Sequence, residues 1–178
     1  MKRILIVTVL AAALVVPAFS QVRLDITVDV PLTVGTISGS GVSASSDVAS
    51  FLSEHILPFP EASIGYQFEA GPVKLIPGVR AFTFILESVL WPNLIAEVQL
   101  GPVFVDAQVG GLAFVVFGLY NNADFGKVLL PDLSVWYGLG KERRFRLGGG
   151  VFGMVLPELS ADDMLIIPYL GGKVSLTF

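Results

Sequence analysis

The sequence predicts an all-β protein, an eight-stranded antiparallel up-and-down transmembrane β-barrel. Of its 178 residues, 53% are hydrophobic and only 15% charged, against about 25% charged in an ordinary soluble domain, so the composition is that of a membrane protein. Every apolar stretch beyond residue 20 is cut by Gly, Pro or a charge, as in GLAFVVFGLYNN (111–122), well short of the ~20 residues a spanning helix needs. In lipid, the other structure that satisfies its own backbone is a closed barrel. The hydrophobicity alternates with a period of two in eight runs, the mark of strands with one oily face.

Residues 1–20, MKRILIVTVLAAALVVPAFS, place Lys2 and Arg3 ahead of an apolar run that ends at Pro17, with small residues at Ala18 and Ser20. This is signal-peptide grammar, and cleavage after Ser20 leaves a barrel over residues 21–178. The first run alternates Val22, Leu24, Ile26, Val28 and Val30 with Arg23, Asp25, Thr27 and Asp29. The second sets Ile64, Tyr66 and Phe68 against Ser63, Gln67 and Glu69; the third sets Leu75, Val79 and Ala81 against Lys74, Gly78 and Arg80. The fourth alternates Leu94, Ala96, Val98 and Leu100 with Ile95, Glu97 and Gln99. The fifth opposes Val103, Val105, Ala107 and Val109 to Phe104, Asp106 and Gln108 and continues as an apolar stretch to Phe117. The last three oppose Leu133, Val135 and Tyr137 to Asp132, Ser134 and Trp136, then Phe145, Leu147 and Val151 to Arg146, Gly148 and Phe152, then Leu170, Val174 and Leu176 to Tyr169, Lys173 and Ser175.

The charges and glutamines of these runs all fall on the polar faces. A cost of ~2–4 kcal/mol for Lys or Arg on the lipid face at mid-membrane gives that pattern its physical reason. Gly71-Pro72, Gly101-Pro102 and Lys141–Arg144 make three short links. Barrels of this type have short periplasmic turns and long external loops, which places both chain ends on the periplasmic side and external loops at about 33–62, 87–93, 118–127 and 157–164.

The chain ends YLGGKVSLTF. Leu170, Val174, Leu176 and the terminal Phe178 resemble the C-terminal assembly signal of outer-membrane β-barrels. Over residues 21–178 the strand and turn scheme resembles the small eight-stranded barrels, the OmpA membrane domain, OmpX and OmpW families. That resemblance implies the outer membrane of a diderm bacterium, a lipid environment, insertion by the barrel-assembly machinery and a monomer.

With strand direction assigned, the inward positions form two tiers. The lower carries Arg23, Asp25, Gln67, Glu69, Lys74, Glu97, Gln99, Asp106, Gln108, Arg146 and Lys173, and Arg80 joins the same inward set. Eight strands enclose only enough room for side chains to fill, and buried charges must pair. The cations Arg23, Lys74, Arg146 and Lys173 are therefore expected to meet Asp25, Glu69, Glu97 and Asp106 in a packed plug. Toward the outer mouth the inward phase carries Phe82, Phe84, Leu86, Ile95, Leu112, Phe114, Leu130, Phe152, Met154 and Ile167. Either these line an apolar chamber for a small hydrophobic ligand, or they fill space, or a β-bulge at Gly110-Gly111 or Gly148–Gly150 swaps the faces. The OmpW resemblance implies sideways passage of such compounds into the membrane.

The remaining chemistry is sparse. A pI near 4.9 gives no footprint for nucleic acid. The absence of cysteine excludes thiolate chemistry and disulfides. His55, the single histidine, has no partners placed for a triad or a zinc site, so neither cofactor nor catalytic activity is expected. In SSDVASFLSEHIL (45–57), Val48, Phe51, Leu52 and Ile56 have helical spacing behind a possible Ser46 cap, the pattern of a short helix over the mouth. The external loops, with Asp47, Glu54, Glu61, Glu87, Asp124, Glu158, Asp162 and Asp163 against Lys127, are acidic. Trp91, Phe117 and Tyr120 at the outer ends and Phe68, Tyr137, Phe145 and Phe178 at the inner ends suit two aromatic girdles. A narrow channel or binding barrel for small hydrophobic molecules is the leading functional expectation; a non-conducting structural or surface-interaction barrel is the alternative.

Overall fold

Alternation turns into architecture because a strand with one apolar and one polar face can satisfy its backbone in lipid only by pairing on both edges. The computed structural model describes residues 21–38, 41–44, 58–84, 87–118, 122–124, 128–155 and 164–178. In chain order its strands are β1 (Gln21–Pro31), β2 (Gly35–Ser38), β3 (Gly41–Ala44), β4 (Phe59–Ala70), β5 (Val73–Phe84), β6 (Glu87–Leu100), β7 (Val103–Gly111), β8 (Phe114–Gly118), β9 (Asn122–Asp124), β10 (Leu129–Leu139), β11 (Phe145–Met154) and β12 (Met164–Thr177). Eight of them, β1, β4, β5, β6, β7, β10, β11 and β12, pair antiparallel in that order. β12 then pairs with β1 from Arg23↔Thr177 to Pro31↔Tyr169, which closes the ring. The protein is an eight-stranded antiparallel β-barrel.

The tight links lie together at one end of the barrel, the turn end. Gly71 and Gly101 adopt φ of 64° and 62°, left-handed conformations that a Cβ disfavours, so each Gly-Pro pair reverses the chain without a longer loop. At the opposite, loop end, two hairpins extend the wall: β2 with β3 above β12, and β8 with β9 above β6.

The strands run further toward the loop end than their alternation predicts. The fourth stave begins at Glu87 rather than Leu94, so residues 87–93 are strand and not an external loop; β5 and β6 pair as far as Phe84↔Glu87. Pro92, which has no N–H to give to a ladder, occupies an exposed outward position in β6. Likewise β4 starts at Phe59 and β12 at Met164, and strands occupy parts of the expected loops 33–62 and 118–127. The proposed helix at 45–57, with His55, lies outside the described residues, as do residues 1–20.

A face swap at the glycines does not occur. Asn93 pairs with Gly110 and Leu90 with Val115, so three steps along β6 match five along β7 and β8. Two extra residues preserve a period of two where one would invert it. The distortion is confined to Gly111 and Leu112, with φ of 108° and 69°, and Phe114 and Val116 return to the inner face. Through Gly148–Gly150 the pairing with β10 and β12 is unbroken.

Those glycines serve close packing instead. A Cβ on Gly148 would meet the Val135 carbonyl and the Trp136 backbone. Overpacking against backbone costs about 1–3 kcal/mol, and Gly148→Ala is expected to lower the urea midpoint of unfolding in lipid vesicles by a corresponding amount; an unchanged midpoint contradicts the close approach. The exterior is a belt of exposed Ile26, Ile64, Leu94, Leu133, Val135, Leu147 and Leu170, with Tyr137, Phe145 and Phe178 exposed toward the turn end. Of the outer aromatic girdle, Phe117 is exposed; Tyr120 is outside the described residues, and Trp91 is not part of the belt at all.

Candidate functional site

Alternation sends every second residue into the lumen, and height along each strand decides whom it meets. Near the turn end, Glu97 is wholly buried and its Oε2 accepts from Arg23 Nη2 at 2.6 Å and Arg146 Nη1 at 2.5 Å. Arg23 Nε also donates to Asp25 at 2.9 Å. Lys173 pairs with Asp106 and lies 4.0 Å from Asp25. Lys74, half-buried, stands 3.9 Å from Glu97. The Arg146 guanidinium covers the Phe104 ring at 3.6 Å and the Lys173 ammonium faces Trp136 at 4.8 Å, a placement in which ring faces offset part of the cost of burying a cation. This layer brings together all but one of the residues expected in the plug around these cations. The exception is Glu69, which is exposed at the last turn of β4: its parity points inward, but its height puts it on the rim, where water rather than a cation solvates it.

Arg80 does not belong to that layer. It sits higher, where its guanidinium binds Glu61 through Nε and Asp132 Oδ2 through Nη1 at 2.8 Å, with Gln108 at 3.3 Å. Tyr169 donates its hydroxyl to Asp132 Oδ1 at 2.8 Å, and Asn93 donates to Gln108 at 3.1 Å. Glu61 is thus a lumen residue of β4, not part of an acidic external loop. Asp29 completes this upper layer; it is 4% exposed, and its Oδ1 has no hydrogen-bond partner among the described residues. The space between the two layers is a gap of about 20 Å³ bordered by Asp25, Asp29, Ile95, Trp136 and Lys173, room for roughly one water. A polar cleft of about 290 Å³ opens below, at the turn end, lined by Arg23, Lys74 and Arg146 among others.

Above the upper layer the lumen widens into a chamber of about 540 Å³, within the ~300–1,000 Å³ of small-molecule pockets. Of the side chains expected to line it, Phe82, Phe114, Leu130, Phe152, Met154 and Ile167 do so. Ile95 is buried one level down, against the gap between the layers. Leu112 is 62% exposed, because the left-handed turn of the inserted pair rotates it out of the lumen. The Phe84 side chain and Leu86 lie outside the described residues. Sequence reasoning missed Phe59, Val89, Trp91, Val116 and Val128, which also line the chamber. For Val89 and Trp91 the signal was present: they continue the inward phase of Ile95 and Glu97 past Pro92. The Trp91 indole occupies the space that a Cβ on Gly110 would need.

Fold and lumen together define a class: a lipid-facing eight-stranded β-barrel, closed across its middle by two ionic layers and hollow at its loop end. The chain is similar in fold to three solved outer-membrane barrels. Neisserial surface protein A shares 11% identity at a TM-score of 0.47, with 86% of this chain and 96% of that chain covered. Ail, the attachment invasion locus protein of Yersinia pestis, shares 8% at 0.36, covering 89% and 99%. The outer membrane protein OprG from Pseudomonas aeruginosa shares 9% at 0.35, covering 89% and 96%. No protein-family model matches the sequence, and comparison with curated proteins returns no match.

Proposed function

We propose that the protein is an outer-membrane barrel that takes small hydrophobic molecules into its loop-end chamber and does not conduct along its axis. The observation that carries this is the 540 Å³ chamber, whose accessible lining is almost wholly apolar, seated directly on paired buried charges. Apolar walls with few polar groups are the ordinary makeup of a ligand pocket. The layers beneath fill the lumen as an eight-stranded barrel allows, so a molecule that enters returns to the loop end or leaves sideways toward lipid. Insertion by the barrel-assembly machinery, export through residues 1–20 and a monomeric barrel in lipid belong to the same proposal.

The test is displacement of a fluorescent apolar probe, N-phenylnaphthylamine, from the refolded chain in lipid nanodiscs. Phe82→Asp and Phe152→Asp each put a carboxyl group on the apolar wall, where burying a polar group without a compensating hydrogen bond costs about 1–3 kcal/mol by mutational scales. Binding is expected to weaken at least about tenfold in each, a factor equivalent to about 1.4 kcal/mol. Heat-modifiable gel mobility checks that the variants fold. Unchanged binding in folded variants, or no saturable binding by the native barrel, removes the ligand reading and leaves a structural or surface-interaction barrel.

A further inference from the structure

We propose that the ligand of the chamber is a lipophilic cation, an apolar body carrying one ammonium group, received on the floor by Asp29. This rests on reading the chamber as a ligand site and specifies what that site selects.

The floor of the chamber and the layer it belongs to hold three carboxyl groups, Asp29, Glu61 and Asp132, and one cation, Arg80. Arg80 is already engaged by Glu61 and Asp132, and the second oxygen of Asp132 is taken by Tyr169. Asp29 is left with a buried oxygen that accepts no hydrogen bond among the described residues. Thr27 pairs with Glu61 and Asp29 with Phe59, so Asp29 and Glu61 are diagonal neighbours on the inner face; their carboxyls are hydrogen-bonded to each other, which takes one shared proton and still leaves the layer two negative charges against the one positive charge of Arg80. The nearest cation below, Lys173, is bound to Asp106 and Asp25. A water in the 20 Å³ gap can solvate Asp29 but not balance the charge of the layer.

The walls suit the same ligand. Phe59, Phe82, Trp91, Phe114 and Phe152 surround the space above Asp29, and ring faces attract ammonium groups once water is excluded. The floor already uses this chemistry, since the Arg80 guanidinium lies 5.9 Å from the Trp91 ring and 5.7 Å from the Phe152 ring. A neutral ligand would cover the floor and leave its excess negative charge without a counter-charge, which costs free energy. An anion would meet an acidic floor. A cation balances the negative charge that the layer keeps in excess of Arg80.

Three probes of one shape test this on the refolded full chain in nanodiscs, with partition into protein-free discs subtracted: 4-phenylbutyltrimethylammonium, its uncharged carbon isostere, and 4-phenylbutanesulfonate. The cation is expected to bind at least about tenfold more tightly than the isostere, within the range of desolvated cation–π and charge pairing, and the sulfonate most weakly. Asp29→Asn, nearly isosteric, should bring the cation to the affinity of the isostere while leaving the isostere's own binding unchanged; Glu61→Gln should lower the preference by a smaller factor. Equal binding of cation and isostere by the native barrel, tighter binding of the sulfonate, or a preference that survives Asp29→Asn overturns the proposal while the chamber reading stands. Absence of binding by all three overturns both. The native comparison needs no variant, so the test holds even if Asp29→Asn does not fold.

Discussion

Replacing Glu97 by Ala is expected to cost about 3 kcal/mol of stability, the low end of the ~3–5 kcal/mol lost when one partner of a buried ion pair is removed. Glu97 is the single acceptor shared by Arg23 and Arg146 and the nearest carboxylate to Lys74. Its loss leaves the lower layer with Asp25 and Asp106 as its only carboxylates among the described residues, against four cations. The low end applies because Arg23, Lys74 and Arg146 border the turn-end cleft, from which water can reach the orphaned charges. Urea unfolding in phospholipid vesicles, followed by tryptophan fluorescence, measures the change. Converting Arg23 and Arg146 to Leu in the same chain should recover most of it, because a buried ion cluster exchanged for apolar groups of similar volume is often neutral. If Glu97→Ala leaves the midpoint in place, the lower layer does not hold the barrel together.

A comparable loss is expected on the other face of the wall from a residue that touches none of these charges. Leu133 is 58% exposed on the outer face of β10, whereas its neighbour Ser134 is buried in the lumen. Leu133→Arg puts a guanidinium against lipid near the middle of the strand, at ~2–4 kcal/mol near the bilayer midplane. The same change at Leu139, the last residue of β10, lets the side chain reach the interface, where the cost falls to ~0–1 kcal/mol. The gradient between the two sites is the informative quantity. Equal effects would mean that the exposed apolar belt does not lie in a bilayer.

The barrel was legible in the sequence because its two solvents are so different. Lipid outside and a crowded polar interior inside impose a period of two that survives in residues such as Ile26 against Asp25, or Leu147 against Arg146, and the Gly-Pro turns mark where strands reverse. Less legible were the upper ends of the strands. Pro92 and Gly110-Gly111 resemble breaks, yet Pro92 faces outward and the two-residue insertion after Gly111 restores the phase, so Trp91 and Val116 reach a chamber that pattern alone truncates. The exposed Leu112 shows the opposite failure, in which parity points inward while a local left-handed turn points out.

Alternation by itself determined the strand number, the lipid-facing set and which charges turn inward, since those follow from each residue's position along its own strand. Only the tertiary structure decided height. Arg80 left the lower group for a layer of its own, Glu69 reached the rim, Glu61 moved from an expected loop to the lumen, and Asp29 came to rest beside Glu61 with one oxygen unsatisfied, under an apolar chamber. Height around a closed barrel depends on the stagger of all eight strands, set by pairings such as Asp29↔Gly171 and Thr27↔Glu61 between residues far apart in the chain, and no local spacing encodes that sum.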